Sequence, residues 1–542
     1  MNQSMHPRVA IAFFISPHGF GHASRAAAVI NAIAAKWPFV HVHLFTTIPA
    51  WFFEDTLCAA FSYHEFAADI GTVQRSPLTV DLEATIARLD ETYPMADPEL
   101  DALADRLHAL ECRLVASDIS PWGIAAAKRA GLPSILIENF TWDWIYEAYA
   151  PHAPQLKPHI RYLNDIFAAA DHRIQAIPFC ARHSDADLQI PPASRKPASS
   201  RADIRNRLGL NENRRMVLIT MGGIPDTPGF LPMLTEFGQD HLFVVPGDYP
   251  ELPPEGERCG NLLRLPHRSA FYHPDLVNAS DAVVGKAGYS TLAEVYQAGV
   301  PFGYVARPNF RESDVLEDFI HSEMGGMPIA RAAFETGEFL KNLPALLDLP
   351  KKEPNSQNGA DAAADYICLL LACRHELLEV VDRQGRICGA APRCEVHGNR
   401  DWLHQVVHVL VFDDSGRLLL QKRSPQKTVA PGKWDTSVGG HVDCGESIES
   451  AMQREMAEEL GIHGAAPQFA YQYIHSNDFE SELVHTYICR CNGGIRFNPD
   501  EIDSVAFWEP SEISANLGKG IFSDNFEHEF ALYRQWLETA NG

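Results

Sequence analysis

No stretch of this chain stays apolar over the ~18 residues that a membrane-spanning helix needs, and no stretch is densely basic. Lys and Arg number 45 against 70 Asp and Glu, a formal net charge of −25. A continuous cationic groove for a nucleic-acid backbone is therefore not expected. Eleven cysteines are scattered without a C-x-x-C pair, which excludes zinc-ribbon and thioredoxin-type spacing and points to reduced, packed thiols. Cys489 and Cys491 stand two apart in an expected strand and share a face. The opening MNQSMHPRVAIAFFIS holds one Arg and a short apolar run, which reads as a buried first strand rather than a signal peptide. These absences leave a cytoplasmic protein with no nucleic-acid partner and no membrane span.

What is present is α/β alternation. With 542 residues, 46% of them apolar, the chain suggests about three domains, each able to bury a core. VAIAFFI (9–15) leads through a Gly-containing loop into the Ala-rich SRAAAVINAIAAKW, an expected strand–loop–helix unit. Strands are expected at His41–Thr46, 114–118 and 134–138. IPPASRKPASSRA (190–202) reads as a linker. The pattern restarts with MVLITMGG (216–223), LFVVPG (242–247) and AVVGKAGYSTLAEVYQAG (282–299), and Gly359–Leu371 reads as the helix closing the second lobe. A third unit begins near Glu376, where two apolar strands flank the turn Asp413-Asp414-Ser415-Gly416. The expected boundaries are 1–190, 200–372 and 374–542, and the expected fold class is α/β.

Residues 440–462, GHVDCGESIESAMQREMAEELGI, fit the pattern G-x5-E-x7-R-E-U-x-E-E-x-G-U at every fixed position, from Gly440 and Glu446 through Arg454 to Ile462. Ser447 caps the expected helix and Gly461 ends it. Ile448, Met452, Met456 and Leu460 supply a core stripe. Glu455, Glu458 and Glu459 fall at i, i+3 and i+4 on one helix surface. Crowded carboxylates favour a hard divalent cation, Mg²⁺ or Mn²⁺, able to bridge diphosphate oxygens and activate water. The pattern is the Nudix box, and it implies an α/β/α sandwich that hydrolyses a diphosphate linkage, with Gly440, Glu455, Glu458 and Glu459 at the metal.

Residues 376–510 resemble the Nudix branch related to isopentenyl-diphosphate isomerase. The residues carrying the resemblance are His397, His404, PGKWDTSVGGHVDCGES (431–447) and ESE (480–482). It implies a metal held by His397, His404, His441, Glu480 and Glu482. The isomerase has a catalytic Cys two residues before its box-loop His, where this chain has Gly439. That departure and the intact box favour hydrolysis over isomerisation. Glu459, Glu480 and Glu482 remain alternative bases.

HGFGHASR (18–25) follows the first strand, with His18 and His22 as base or ligand-positioning groups. Its glycines allow close backbone approach, and the helix start favours an anion. Gly222 and Gly223 follow the first strand of the second lobe, and GKAGYSTLAE (285–294) is a second Gly turn into a helix. These features resemble GT-B glycosyltransferases of the MurG-like group. The resemblance implies two Rossmann-like lobes and a nucleotide sugar bound by the second, with Gly288, Ser290 and Thr291 at the diphosphate and Glu294 at the ribose. The stretches 18–25, 117–131 and 138–149 resemble the amino-terminal region of plant-type L-arabinokinases. Trp142, Trp144 and Tyr146 read as interlobe packing, Asp118 as base or N-cap, and Arg311, Glu312 and Asp314 as cleft residues or a solvated helix start. A transferase, a nucleotide-sugar sensor and an epimerase-like enzyme all remain open.

Overall fold

The computed structural model describes residues 7–540 apart from 77–78, 212, 222–228, 239, 308–309, 427–429 and 500. The chain divides into two compact units, Ala10–Cys368 and Leu369–Gly542 with Met1–Val9.

The first unit holds two seven-stranded sheets. Strands β1 (Val9–Ile15), β2 (Val40–Thr46), β3 (Ala60–Glu65), β4 (Cys112–Asp118), β5 (Ser134–Glu138), β6 (His172–Ala176) and β7 (Leu188–Ile190) lie in the order β3-β2-β1-β4-β5-β6-β7. β1 pairs with β4 in parallel, Ile15 opposite Asp118. The order reverses between these two strands, and a crevice opens at their carboxy ends. The second sheet consists of β8 (Arg215–Thr220), β9 (His241–Gly247), β10 (Glu257–Cys259), β11 (Leu262–Pro266), β12 (Ala282–Lys286), β13 (Phe302–Val305) and β14 (Met327–Pro328), in the order β10-β11-β9-β8-β12-β13-β14. Only the edge pair β10/β11 is antiparallel. Its switch point lies between β8 and β12, where Thr220 faces Gly285. A Cβ on Gly285 would come within 2.0 Å of the Thr220 carbonyl oxygen, so the close approach there requires glycine.

Helices α1 (Phe20–Lys36), α2 (Pro121–Ala130), α3 (Trp142–Glu147) and α4 (Tyr289–Ala298) position the crevice residues. The linker stretch 190–202 is packed. Ile190, Ala193, Ser194 and Arg195 are buried, and Asn358 bridges the Ser194 backbone, accepting its N–H (3.2 Å) and donating to its carbonyl (2.8 Å). The helix Gly359–His375 was expected to close the second lobe. Its residues reach the first instead, with Asp365 paired to Lys36 (2.5 Å) and Tyr366 bonded to His172 (2.8 Å).

The second unit carries a nine-stranded sheet. β15 (Leu377–Val381), β16 (Ile387–Pro392), β17 (Leu403–Phe412), β18 (Leu418–Arg423) and β19 (Trp434–Asp435) run in the order β16-β15-β17-β18-β19. β20 (Val438–His441) and β22 (Ser481–Arg490) pair with β17, β21 (Gln468–Ser476) with β22, and β23 (Ile502–Trp508) with β18. Helix α5 (Ile448–Leu460) buries Met452, Met456 and Leu460 against Val407, Val409 and Val438. Helix α6 (Asp524–Ala540) contributes Phe526 and Phe530 to a second cluster with Leu410 and Leu418.

In the first lobe Phe14 stacks on Phe45 with centroids 4.5 Å apart, and Gly123 leaves the room it needs. Truncation to Phe14→Ala is expected to cost about 3–5 kcal/mol, read as a lowered denaturant midpoint for the first unit; an unchanged midpoint would contradict this packing.

Candidate functional sites

In the crevice of the first lobe, Gly19 adopts a positive φ of 82° and turns the chain from β1 into α1. One turn into the helix, the His22 Nδ1 lies 2.8 Å from Asp118 Oδ1. Arg25 grips the same carboxylate from Nε (2.8 Å) and a terminal nitrogen (2.6 Å), and its other terminal nitrogen donates to Asn139. Burial works to raise the Asp118 carboxyl, but the charge and hydrogen bonds of Arg25 and His22 outweigh it and hold the group below the usual carboxylate range. Asp118 is therefore not an N-cap; Ser120 caps α2 instead. His18 packs edge-on to Trp142 (5.1 Å). Burial, then the nearby charges of His22, Arg307 and Lys286, lower its pKa to about 3, so it is neutral. Trp142 and Tyr146 are buried and hydrogen-bonded, to Asp69 (2.9 Å) and to the Gly71 carbonyl (2.5 Å). Trp144 lies under the Arg311 guanidinium (4.0 Å), which also pairs with Glu147 (2.8 Å).

Across the cleft, Gly288 precedes α4, with Ser290 and Thr291 in its first turn. These three residues and the two histidines line one cavity of ≈ 130 Å³. A neighbouring cavity of ≈ 360 Å³ is lined by Ser290, Thr291, Glu294, Arg195, Phe52 and Tyr272, among others. Glu294 is 4% exposed. Its Oε1 accepts from Arg195 Nε (3.0 Å) and NH2 (2.8 Å), and its Oε2 lies 2.7 Å from His273 Nδ1. Burial opposes ionisation, but Arg195 and His273 prevail and pull its pKa down to about 2. Both oxygens of Glu294 thus already have protein partners. Gly222 and Gly223 lie outside the described residues.

In the second unit, Ser447 accepts from Ser450 N (3.1 Å) and Gly461, at φ 64°, closes α5. Glu455 and Glu458 meet at one nitrogen of Arg454, while Glu459 points elsewhere. Arg454 is the cation among them, bonded to Glu455 (2.7 Å), Glu458 (3.3 Å) and both oxygens of Glu446 (3.0 and 2.8 Å). Glu459 turns inward and accepts from Gly439 N (3.1 Å) and Gln421 (3.2 Å). Burial raises Glu455 to about 7. A Cβ on Gly440 would sit 1.9 Å from the Glu455 carboxyl carbon, so a larger residue there would displace that carboxylate.

The five residues drawn from 397 to 482 do converge. The donor atoms of His397, His404 and His441 lie within 4.8 Å of one another, as do those of His404, Glu480 and Glu482. Parallel pairing sets His404 opposite Glu482. His397 Nε2 is 3.0 Å from His441 Nε2 and 3.4 Å from Glu480 Oε2. His404 is fully buried, and neither ring nitrogen has a hydrogen-bond partner of ordinary geometry. Burial and His397 lower its pKa to about 3, and His441 is pushed well below its usual value by burial and its histidine neighbours. Neutral imidazoles offer lone pairs, and three of them with two carboxylates fit a divalent cation. Burial and the Glu480 charge raise Glu482 to about 7, and Asn525 donates to its Oε2 (3.1 Å).

Sequence reasoning missed the pair His408–Glu529, whose Nδ1 and Oε1 lie 3.0 Å apart in the core. Burial disfavours the charged imidazole, yet Glu529 lifts its pKa to about 9. The one sequence signal was a histidine inside the apolar run VVHVLVF; its partner stands 121 residues later on α6.

The NUDIX domain family model matches residues 402–529. An isopentenyl-diphosphate Delta-isomerase of Nocardia farcinica is 33% identical over 165 residues, 30% of this chain and 89% of that protein. The L-arabinokinase of Arabidopsis thaliana is 28% identical over 373 residues, 68% of this chain; the chain spans about a third, 35%, of that relative's length. Among solved structures, the calicheamicin glycosyltransferase CalG4 aligns with 68% of this chain and 99% of its own, at 14% identity and a TM-score of 0.46. Through its carboxy-terminal domain the chain belongs to the Nudix family, with isopentenyl-diphosphate isomerases among its homologues.

Proposed function

We propose that the chain is a bifunctional enzyme, a Nudix hydrolase of a diphosphate linkage fused to a glycosyltransferase that uses a nucleotide sugar. The observation that carries the hydrolase is the convergence of His404, buried with neither nitrogen in a hydrogen bond of ordinary geometry among the described residues, with two more histidines and two glutamates. A Mg²⁺ or Mn²⁺ ion held by His397, His404, His441, Glu480 and Glu482 would neutralise diphosphate charge and lower the pKa of water there. Glu482, with one oxygen oriented by Asn525, is placed to take the proton from the attacking water. Arg454 keeps the box loop on α5 through Glu446 and the His441 carbonyl (2.9 Å).

The transferase reading rests on the His22–Asp118 pair. If Nδ1 of His22 donates to Asp118, its Nε2 is left as an acceptor for the proton of an attacking hydroxyl. Arg25 keeps Asp118 ionised, and the start of α4 offers backbone N–H groups to a diphosphate. A second reading of the Nudix unit, isomerisation of a prenyl diphosphate, is favoured by the same five-residue cluster. Against it stands Gly439, in place of the thiol expected of that branch; the space a Cβ would enter there is taken by His408, at 3.2 Å.

With Mg²⁺ or Mn²⁺ and a panel of nucleoside triphosphates, dinucleotides, nucleotide sugars and prenyl diphosphates, phosphorus NMR is expected to show cleavage that falls by about 10²-fold or more in Glu482→Gln and in His404→Ala. Full turnover in either variant would sink the assignment, and a rearranged prenyl diphosphate without cleavage would select the isomerase. For the transferase, His22→Ala is expected to lower sugar transfer by about 10²–10⁴-fold with an unshifted melting temperature. An unchanged rate would leave His22 no catalytic role.

A further inference from the structure

The ≈ 130 Å³ cavity beside His22 contains more positive charge than its own residues neutralise. Lys286 ends β12 and Arg307 follows β13 by two residues; both line the cavity. Arg307 is 8% exposed and lies over the Phe310 ring (4.0 Å). One terminal nitrogen pairs with Glu312 (2.5 Å), while its buried Nε–H has no partner among the described residues. Lys286 is half-buried and has no hydrogen bond or ion pair among the described residues. Arg25 is matched by Asp118, and His18 is neutral. Among the described residues lining the cavity, Glu312 is therefore the one carboxylate set against two cations. Burial, then the Arg307 charge, lowers Lys286 to about 7, the behaviour of a cation short of a counter-ion.

The two cavities divide a ligand between them. Glu294 and Arg195 line the larger cavity but not the smaller; Lys286 and Arg307 line the smaller but not the larger; Ser290 and Thr291 line both. With ribose near Glu294 and diphosphate at the start of α4, the sugar falls in the smaller cavity. Both cations belong to the lobe that carries the nucleotide turn, while His22 and its acceptor side belong to the other. A planar guanidinium with a free Nε–H is suited to a carboxylate.

We propose that the transferred sugar is a uronate, its carboxylate held by Arg307 and Lys286. This rests on the nucleotide-sugar reading above. The test is calorimetric titration of the full chain with UDP, UDP-glucose and UDP-glucuronate, and with the guanosine and thymidine diphosphate forms of the neutral sugar and its uronate. The uronate is expected to bind about tenfold or more tightly than the neutral sugar of the same nucleotide. That advantage is expected to vanish in Lys286→Met and in Arg307→Lys, the second chosen so that Glu312 keeps a charged partner. Equal binding of neutral sugar and uronate would overturn the inference and leave the nucleotide-sugar reading standing. A loss of UDP affinity in Lys286→Met as large as the loss for the uronate would assign the lysine to the diphosphate and also overturn it. Binding of no nucleotide sugar at all would remove the underlying reading as well.

Discussion

A fully buried imidazole with no hydrogen bond of ordinary geometry at either nitrogen is costly, and among the described residues His404 is in that position. Its burial follows from strand pairing, because β17 is covered over most of its length and sets His404 opposite Glu482 on β22. The neighbouring groups are arranged around the same lack. His397 and His441 face each other nitrogen to nitrogen at 3.0 Å, and one oxygen of Glu480 is buried without a hydrogen bond. Such an arrangement is unfavourable as it stands and favourable around a cation, and the functional account of the Nudix unit depends on that difference.

The first unit solves the opposite problem. Asp118 and Glu294 are buried carboxylates, each fully matched by an arginine and a histidine. Removing the arginine from either would leave a buried charge without its cation. Both stand beside a switch point of a sheet, where parallel topology leaves a crevice. The matched pairs give the cleft fixed geometry, and beside them Lys286 and the Nε–H of Arg307 have no partner among the described residues.

The α/β alternation, the cap Ser447, the stop Gly461 and the buried stripe of α5 were legible in the sequence because they rest on local spacing. The convergence of His397, His404, His441, Glu480 and Glu482 was legible by resemblance alone, since the members are up to 85 positions apart. Helical periodicity places Glu455, Glu458 and Glu459 on one surface, where one Arg454 nitrogen joins Glu455 to Glu458 and the Gly439 N–H holds Glu459 inward. The stretch 190–202 looked like a linker because Pro and Ser were weighed without Asn358, more than 150 residues later, which fixes it. His408–Glu529 and Arg195–Glu294 were missed for the same reason: a long-range ion pair leaves no periodicity.

The most direct test of the metal-site account is pulsed electron paramagnetic resonance on Mn²⁺ bound to the whole protein, read for coupling to imidazole nitrogen. Strong nitrogen coupling that disappears in His404→Ala is the predicted result. A tightly bound Mn²⁺ with oxygen ligands alone would place the ion at Glu455, Glu458 and Glu459 and contradict the account.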